Sequence, residues 1–212
     1  MPSRPFSVNE LYFTLQGEGD RTGRHAVFCR FAWCNLWSGL EKDRPTALCT
    51  ICDTMFVGMK GPGGGVFNCP ERLADAILAM WPSGQQDPYV VFTGGEPLLQ
   101  LNEELVAACH ERQLEVAIET NGTLPVPAGV DWICVSPKVT SMWVQKSGHE
   151  LKLLYPFTIP PTGLTDLDFE HFFIQPVDGA DIKRNTELAV AFCADNPIWR
   201  VSLQTHKLMG MP

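Results

Sequence analysis

Seven short β-rich runs are spaced along the chain, at residues 26–30, 88–92, 114–118, 131–135, 150–154, 171–174 and 199–203. Most are continuous stretches rich in Val, Ile, Phe or Trp rather than apolar–polar alternations, which is the pattern of strands covered on both faces. Helical patterns lie between several of them. One opens at Asn68-Cys69-Pro70-Glu71, where proline suits the first turn, and carries Leu73, Ile77, Leu78 and Trp81 on one face. A second starts at Asn102, a good N-cap, with Leu105, Ala108 and Cys109 turned inward. A third runs from about Lys183 to Ala194 and stops before Asn196-Pro197. Strand–helix alternation specifies an α/β fold with a mainly parallel sheet. Three helices are too few to serve seven strands in a complete eightfold barrel. The expected architecture is therefore a small open or partial (β/α) barrel, one domain over residues 1–212. Residues 61–65 and 156–165 read as loops, and no linker divides the chain.

Composition narrows the function. Sixteen Lys and Arg against twenty-four Asp and Glu give a net charge of −8, which argues against an extended grip on a nucleic-acid backbone. It leaves room for a small anionic ligand held by one or two arginines. The N-terminal residues, Met1-Pro2-Ser3-Arg4-Pro5, lead into no apolar secretory segment. No window approaches the roughly 20 apolar residues of a membrane helix. A cytosolic location is expected, where thiols stay reduced and clustered cysteines more often bind metal than pair.

There are eight cysteines. Cys29, Cys69, Cys109, Cys134 and Cys193 are dispersed through apolar or helical stretches and read as small core residues. Cys34, Cys49 and Cys52 stand together as C-x14-C-x2-C, and the two-residue hook brings two thiolates to one side. Two readings stay open on spacing. A tetrahedral zinc would add His25 or Cys69 as its fourth ligand. A [4Fe–4S] cluster on three cysteines would leave one iron free for a substrate or cofactor.

A second motif bears on the choice. The run ending in Phe92 leads into Thr93-Gly94-Gly95-Glu96-Pro97, a glycine turn with a carboxylate able to accept from an ammonium group. Following a three-cysteine hook in an α/β chain, it resembles the radical S-adenosylmethionine superfamily. The usual C-x3-C-x2-C of that superfamily is expanded here by eleven residues. The expanded spacing, Leu15-Gln16-Gly17-Glu18-Gly19, Glu119-Thr120-Asn121-Gly122, Ser136-Pro137-Lys138 and the closing Gln204-Thr205-His206-Lys207 are together similar to the 7-carboxy-7-deazaguanine synthase family.

That resemblance implies a reduced partial (β/α) barrel of the radical S-adenosylmethionine type, and a magnesium-assisted homodimer. It would convert 6-carboxy-5,6,7,8-tetrahydropterin to 7-carboxy-7-deazaguanine with loss of ammonia, on the deazapurine route to queuosine. A flavodoxin-like protein would donate the electron. Cys34, Cys49 and Cys52 would hold the cluster. Ile51 would lie against the adenine of S-adenosylmethionine, with Asp53 on the same side. Gly95 and Glu96 would take its amino end, Ser136, Pro137 and Lys138 its carboxylate and ribose side, and Gln175-Pro176-Val177-Asp178 its adenosine. The pterin would meet Leu15, Gln16, Gly17 and Thr93, with the terminal carboxylate of Pro212 on its guanidine-like face. Arg30 would pair with the substrate carboxylate, and the Thr54 hydroxyl would place Mg²⁺. Glu119 and His206 are the expected acid–base groups.

Each of these positions has a plainer alternative. Arg30 on a β-rich run suits a structural salt bridge, Thr54 a turn cap, Glu119 an N-cap and His206 a solvated tail. His25, His110, His149 and His171 read as structural or surface residues. Two other functions remain in contention: a glycyl-radical activating enzyme of the same superfamily, and a non-catalytic, zinc-stabilised binding protein.

Overall fold

The computed structural model describes residues 4–211; Pro212, assigned above to the pterin, lies outside the described residues. The chain builds one nine-stranded sheet from β1 (Phe6–Leu15), β2 (His25–Phe31), β3 (Gly65–Phe67), β4 (Tyr89–Gly94), β5 (Glu115–Thr120), β6 (Trp132–Val135), β7 (Ser147–Tyr155), β8 (Asp168–Pro176) and β9 (Trp199–Val201). The spatial order is β3-β1-β2-β4-β5-β6-β7-β8-β9. From β2 to β9 every pairing is parallel, whereas β1 runs antiparallel to both β2 and β3. The two end strands do not meet, so the barrel is open, as the low helix count requires.

All seven anticipated runs are strands. The two missed ones have clear reasons. β1, Phe-Ser-Val-Asn-Glu-Leu-Tyr-Phe-Thr-Leu, mixes polar and apolar residues and carries an irregularity between Val8 and Glu10, so a search for continuous apolar runs passes over it. β3 is a three-residue edge strand that starts at Gly65, inside the stretch expected to be a loop.

Helices α1 (Pro70–Met80), α2 (Glu103–His110) and α3 (Ile182–Asp195) fall where the periodicity put them, and a short α4 (Thr205–Met209) was not anticipated. Pro70 opens α1, and Leu73, Ala74 and Ile77 are buried along it. The Asn102 side chain accepts from the Leu105 amide at 3.0 Å and so caps α2, an interaction worth about 1 kcal/mol. These helices cover the outer face of the sheet with two apolar clusters. One joins Val27, Cys29, Phe31, Phe92 and Ile118 to α1 and α2, and the other joins Leu151, Leu153 and Ile174 to α3. On the inner face Ala26, Tyr89, Val91 and Ala117, with Phe28 and Trp132 against them, form a third cluster.

Side chains alternate across a strand, so the inner face above that third cluster is left to the polar members of the same strands. Of the five cysteines expected in the core, Cys29, Cys109 and Cys134 are buried, but Cys69 and Cys193 are only partly so. Cys69 flanks the start of α1 and Cys193 lies in the last turn of α3, positions where one side of the residue meets solvent.

Candidate functional site

A cavity of about 400 Å³ opens on the inner face of the sheet, lined by residues from β1, β2, β4, β5, β7 and β8 and from the loops that follow β2 and β9. Cys34, Cys49 and Cys52 all line it, and all three are free thiols. The long first spacing still brings them together because the intervening segment folds back on itself. Its short 3-10 helix, Glu41–Thr46, carries Arg44. That guanidinium donates to the carbonyls of Thr50 at 2.8 Å and Cys52 at 3.1 Å, and stacks over Trp37. The amides of Leu48 and Cys49 donate to the Leu36 carbonyl.

The residues fit an iron–sulfur cluster. The Leu36 amide already donates to Cys34 Sγ at 3.4 Å. Burial pushes the Cys34 and Cys52 thiols up, while amide donors at Leu36, Trp37 and Thr54 work in the opposite direction; such N–H···S contacts are what cluster thiolates use. His25 and Cys69, the candidate fourth ligands of a zinc, do not line the cavity. Among the described residues no three His, Cys, Asp or Glu side chains converge on a single-ion site. Three thiols that share one cavity suit a cluster, whose thiolates sit on separate irons.

The glycine turn supports this end of the cavity. A Cβ on Gly95 would meet the Trp33 carbonyl oxygen at 2.1 Å and Cys34 Cβ at 2.8 Å, so only glycine lets the turn pass behind the cysteine loop. The Glu96 side chain is fully buried and does not line the cavity. The carboxylate accepts from the Leu98 amide at 2.9 Å, the Thr120 hydroxyl at 2.7 Å and the Asn121 amide at 2.8 Å. It braces the turn against the end of β5, while Thr93, Gly94 and Gly95 face the ligand space. Asn121 in turn reaches the cysteine loop through Asn35 at 3.1 Å.

Along the neighbouring wall Ile51, Ser136, Lys138 and Gln175 line the cavity, and Pro137 does not. Lys138 Nζ donates to both the carbonyl and the hydroxyl oxygen of Ser136 at 2.6 Å. Of the run 175–178 only Gln175 belongs to the lining. The Val177 amide is taken by the Tyr155 carbonyl at 2.8 Å. Asp178 is held at 2.7 Å by Lys207, which also grips Asp53 at the cavity rim at 2.6 Å. Pro176, Val177 and Asp178 stand outside the lining, because β8 continues through Pro176 and keeps the turn beyond the cavity.

The opposite wall carries the residues expected to meet a pterin. Leu15, Gln16, Arg30, Thr54, Thr93, Glu119 and His206 all line the cavity. Arg30 is engaged by Glu10 Oε1 at 2.7 Å and by the Tyr12 hydroxyl at 2.8 Å, the structural salt bridge weighed for it, while it also lines the cavity. Gly17 is not in the lining; its carbonyl accepts from the amide and the hydroxyl of Thr205, both at 2.9 Å, and docks α4. Burial pulls the His206 imidazole below its ordinary pKa. Thr54 contacts Cys52 through its side chain as well as its amide. Glu119 ends no helix. Its two oxygens accept from Gln16 Nε2 at 3.1 Å and Lys152 Nζ at 2.8 Å.

Lys152 is the residue that sequence reasoning missed. It is 2% exposed and binds Glu18 at 2.5 Å as well as Glu119. Against its burial, the Lys152 ammonium holds the Glu18 carboxyl down at about 2. Further down the same strand face, burial and the Glu119 charge push the Glu150 carboxyl up to about 7. The signal was present in the sequence. In the apolar run at 150–154, Glu150 and Lys152 stand two apart, the period that sends both to one face.

No protein-family model matches the chain. It is 58% identical over 208 residues to the 7-carboxy-7-deazaguanine synthase of Bordetella pertussis and 55% identical over 208 residues to that of Caulobacter vibrioides, in each case across 98% of this chain and 99% of the relative. The crystal structure of QueE from Escherichia coli superposes with a TM-score of 0.65 at 22% identity, covering 94% of this chain and 93% of that one, and shares the open barrel.

Proposed function

The chain belongs to the 7-carboxy-7-deazaguanine synthase family, radical S-adenosylmethionine enzymes of queuosine biosynthesis, and we propose that it converts 6-carboxy-5,6,7,8-tetrahydropterin to 7-carboxy-7-deazaguanine by ring contraction with loss of ammonia, a carbon–nitrogen lyase reaction. The observation that carries this reading is the pairing, in one cavity, of a three-thiol end with a polar wall formed by Gln16, Arg30, Glu119 and His206. The whole chain acts as a single radical S-adenosylmethionine core domain. Among the described residues no helix is long and apolar enough to cross a membrane. We assign the enzyme to the cytosol, with a flavodoxin-like electron donor and a second copy of itself as partners.

A bound [4Fe–4S] cluster with S-adenosylmethionine would supply one-electron radical chemistry at the pterin ring. Cys34, Cys49 and Cys52 hold the cluster. Gly95 leaves room for the amino end of S-adenosylmethionine, and Lys138, fixed by Ser136, offers its ammonium to the carboxylate. Gln16 presents its amide to the hydrogen-bonding edge of the pterin, with Leu15 and Thr93 beside it. Arg30 trades part of its contact with Glu10 and Tyr12 for the substrate carboxylate, a bidentate partner that its planar fork matches. The Thr54 hydroxyl, an oxygen donor at the same end, suits Mg²⁺, which prefers oxygen and keeps waters.

Glu119 and His206 handle the protons of ammonia loss. Burial keeps His206 neutral at neutral pH and so able to accept a proton, and the Glu119 carboxylate lines the same cavity with one oxygen 2.8 Å from Lys152 Nζ. The cavity wall excludes water while the rearranging ring is held. Anaerobically reconstituted protein incubated with 6-carboxy-5,6,7,8-tetrahydropterin, S-adenosylmethionine and dithionite should release ammonia and develop the absorbance of a deazaguanine. No product under reducing conditions would sink the assignment.

A further inference from the structure

Four proton-bearing side chains form a row across the inner face of the sheet. The strand register pairs Glu119 of β5 with Cys134 of β6, Cys134 with Glu150 of β7, and Glu150 with His171 of β8. Register partners on neighbouring strands point to the same face, their backbones about 4.8 Å apart, so the four side chains stand side by side, with Cys134 hydrogen-bonded to Glu119. One end, Glu119, lines the cavity. The other, His171, is partly exposed and lies 3.8 Å from Asp20.

The middle of the row is closed to solvent. Cys134 is buried, and burial together with the charges of Glu119 and Glu150 keeps it a thiol. Glu150 is 3% exposed and accepts from the Trp132 indole N–H at 2.6 Å. A Cβ on Gly19 would meet Glu150 Oε2 at 1.9 Å, so the loop after β1 seals against this carboxyl only because residue 19 is glycine. The groups facing Glu150 are Lys152 on its own strand, Glu119 from β5, Cys134 and Trp132 from β6, His171 from β8, and the backbone N–H of Asp20 from the β1–β2 loop. Beneath the row, Tyr89 Oη is a buried side-chain oxygen with no hydrogen-bond partner among the described residues, and it feels the charge of Glu119.

We propose that Glu119, Cys134, Glu150 and His171 form a proton relay between the substrate cavity and solvent, with Glu150 as its proton-holding member. The relay rests on the reaction proposed above and deepens it. In the elimination a ring C–H bond breaks, its electron pair forms the new double bond, and the proton goes to the Glu119 carboxylate. The C–N electron pair leaves with nitrogen, which takes one proton from His206, an imidazole that lines the cavity and is reprotonated from solvent, and departs as ammonia. One proton leaves carbon and one reaches nitrogen, so neither oxidant nor reductant is consumed. The row restores Glu119 to its ionised form. The Cys134 thiol gives its proton to Glu150 as it takes one from Glu119, and His171 exchanges with water. Glu150, raised to about 7, is divided between its two forms at neutral pH, as a relay member must be. A purely structural residue here would need only acceptors for the Trp132 indole and the Asp20 amide, and a glutamine amide keeps the first of them.

Glu150→Gln in the holoenzyme is the test, because it keeps the Trp132 acceptor and removes the titration. With 6-carboxy-5,6,7,8-tetrahydropterin as substrate it should hold KM and cluster content and lose about 10- to 100-fold in kcat. The limb of the kcat–pH profile near neutrality should vanish with it. Cys134→Ala should lose kcat in the same direction and Cys134→Ser should recover part of it. Carbon-13 resonances of glutamate-labelled wild-type apoprotein should show one carboxyl titrating near neutrality, absent from Glu150→Gln. Turnover and pH profile unchanged in Glu150→Gln, with wild-type product formed, overturn the relay alone, and so does a Glu150 carboxyl that titrates in the ordinary range. A wild-type enzyme that forms no product overturns the reaction and the relay together.

Discussion

Gly17 and His206 pack without room for one more carbon: a Cβ at position 17 would stand 2.1 Å from the imidazole Nδ1 and 2.9 Å from its Cβ. The clash reaches the root of the histidine side chain, so rotation of the ring does not relieve it and α4 itself must shift. Gly17→Ala should therefore cost about 1–3 kcal/mol of stability and about 100-fold in kcat/KM, since an ångström of misplacement is felt that strongly at a reacting centre. Thermal unfolding and steady-state turnover check both figures. Turnover equal to wild type would mean that His206 has no part in the chemistry.

The cysteine assignment separates by metal content. Cys34→Ala, Cys49→Ala and Cys52→Ala should each be colourless after anaerobic purification, with iron and sulfide lost together. Cys69→Ala, at the flank of α1 and outside the cavity lining, should keep the brown protein and its full iron. Iron retained in any of the first three, or one zinc per chain in the wild type, would contradict the cluster.

Removing the ammonium of Lys152 leaves Glu18 and Glu119 with no cation between them in a largely buried setting. Lys152→Met should destabilise the fold by about 3–5 kcal/mol, as uncompensated buried charges do. The partner Glu18 sets the direction with pH. Its carboxyl falls from 4.5 to about 2 on folding, so its contribution is complete above about 4.5 and is lost as pH falls toward about 2. In the wild type, urea midpoints should drop across that window. In Glu18→Gln the drop should be smaller, and an unchanged drop would remove Glu18 from the account.

Thr54 offers an oxygen to Mg²⁺ and a contact to Cys52. Thr54→Ser keeps the hydroxyl and should retain the stimulation of turnover by magnesium. Thr54→Ala should lose most of that stimulation while keeping its iron. A magnesium response identical in all three proteins would leave Thr54 as a turn residue.

Much of the architecture was legible because buried parallel strands announce themselves as apolar runs, and helices α1 to α3 announce themselves through Pro70, Asn102 and their apolar spacing. β1 was illegible for the opposite reason: it faces a polar cavity on one side, so Glu10 and Tyr12 interrupt its apolar residues. The site divides in the same way. Cys34, Cys49, Cys52 and Gly95 are fixed by chain-local spacing, and they stand together in the fold. Glu96 reads in sequence as an acceptor for a ligand, but whether a carboxylate faces a ligand or its own backbone depends on Thr120 and Asn121, more than twenty residues away. Lys152 was passed over because each of its partners is a long-range one: Glu18 and Glu119 are 134 and 33 residues distant.

The docking of Thr205 on the Gly17 carbonyl spans 188 residues, and this sets an order of assembly. Local helices and neighbouring parallel strands can form while a chain is still being made, but this contact waits until residue 205 has emerged from the ribosome. Closing so long a loop is entropically costly and slow. A nascent chain therefore holds an open, ligandless sheet for most of its synthesis, with Gln16, Glu18 and Glu119 reachable by water. Refolding experiments should find that recovery of the binding cavity lags behind recovery of the β-sheet signal.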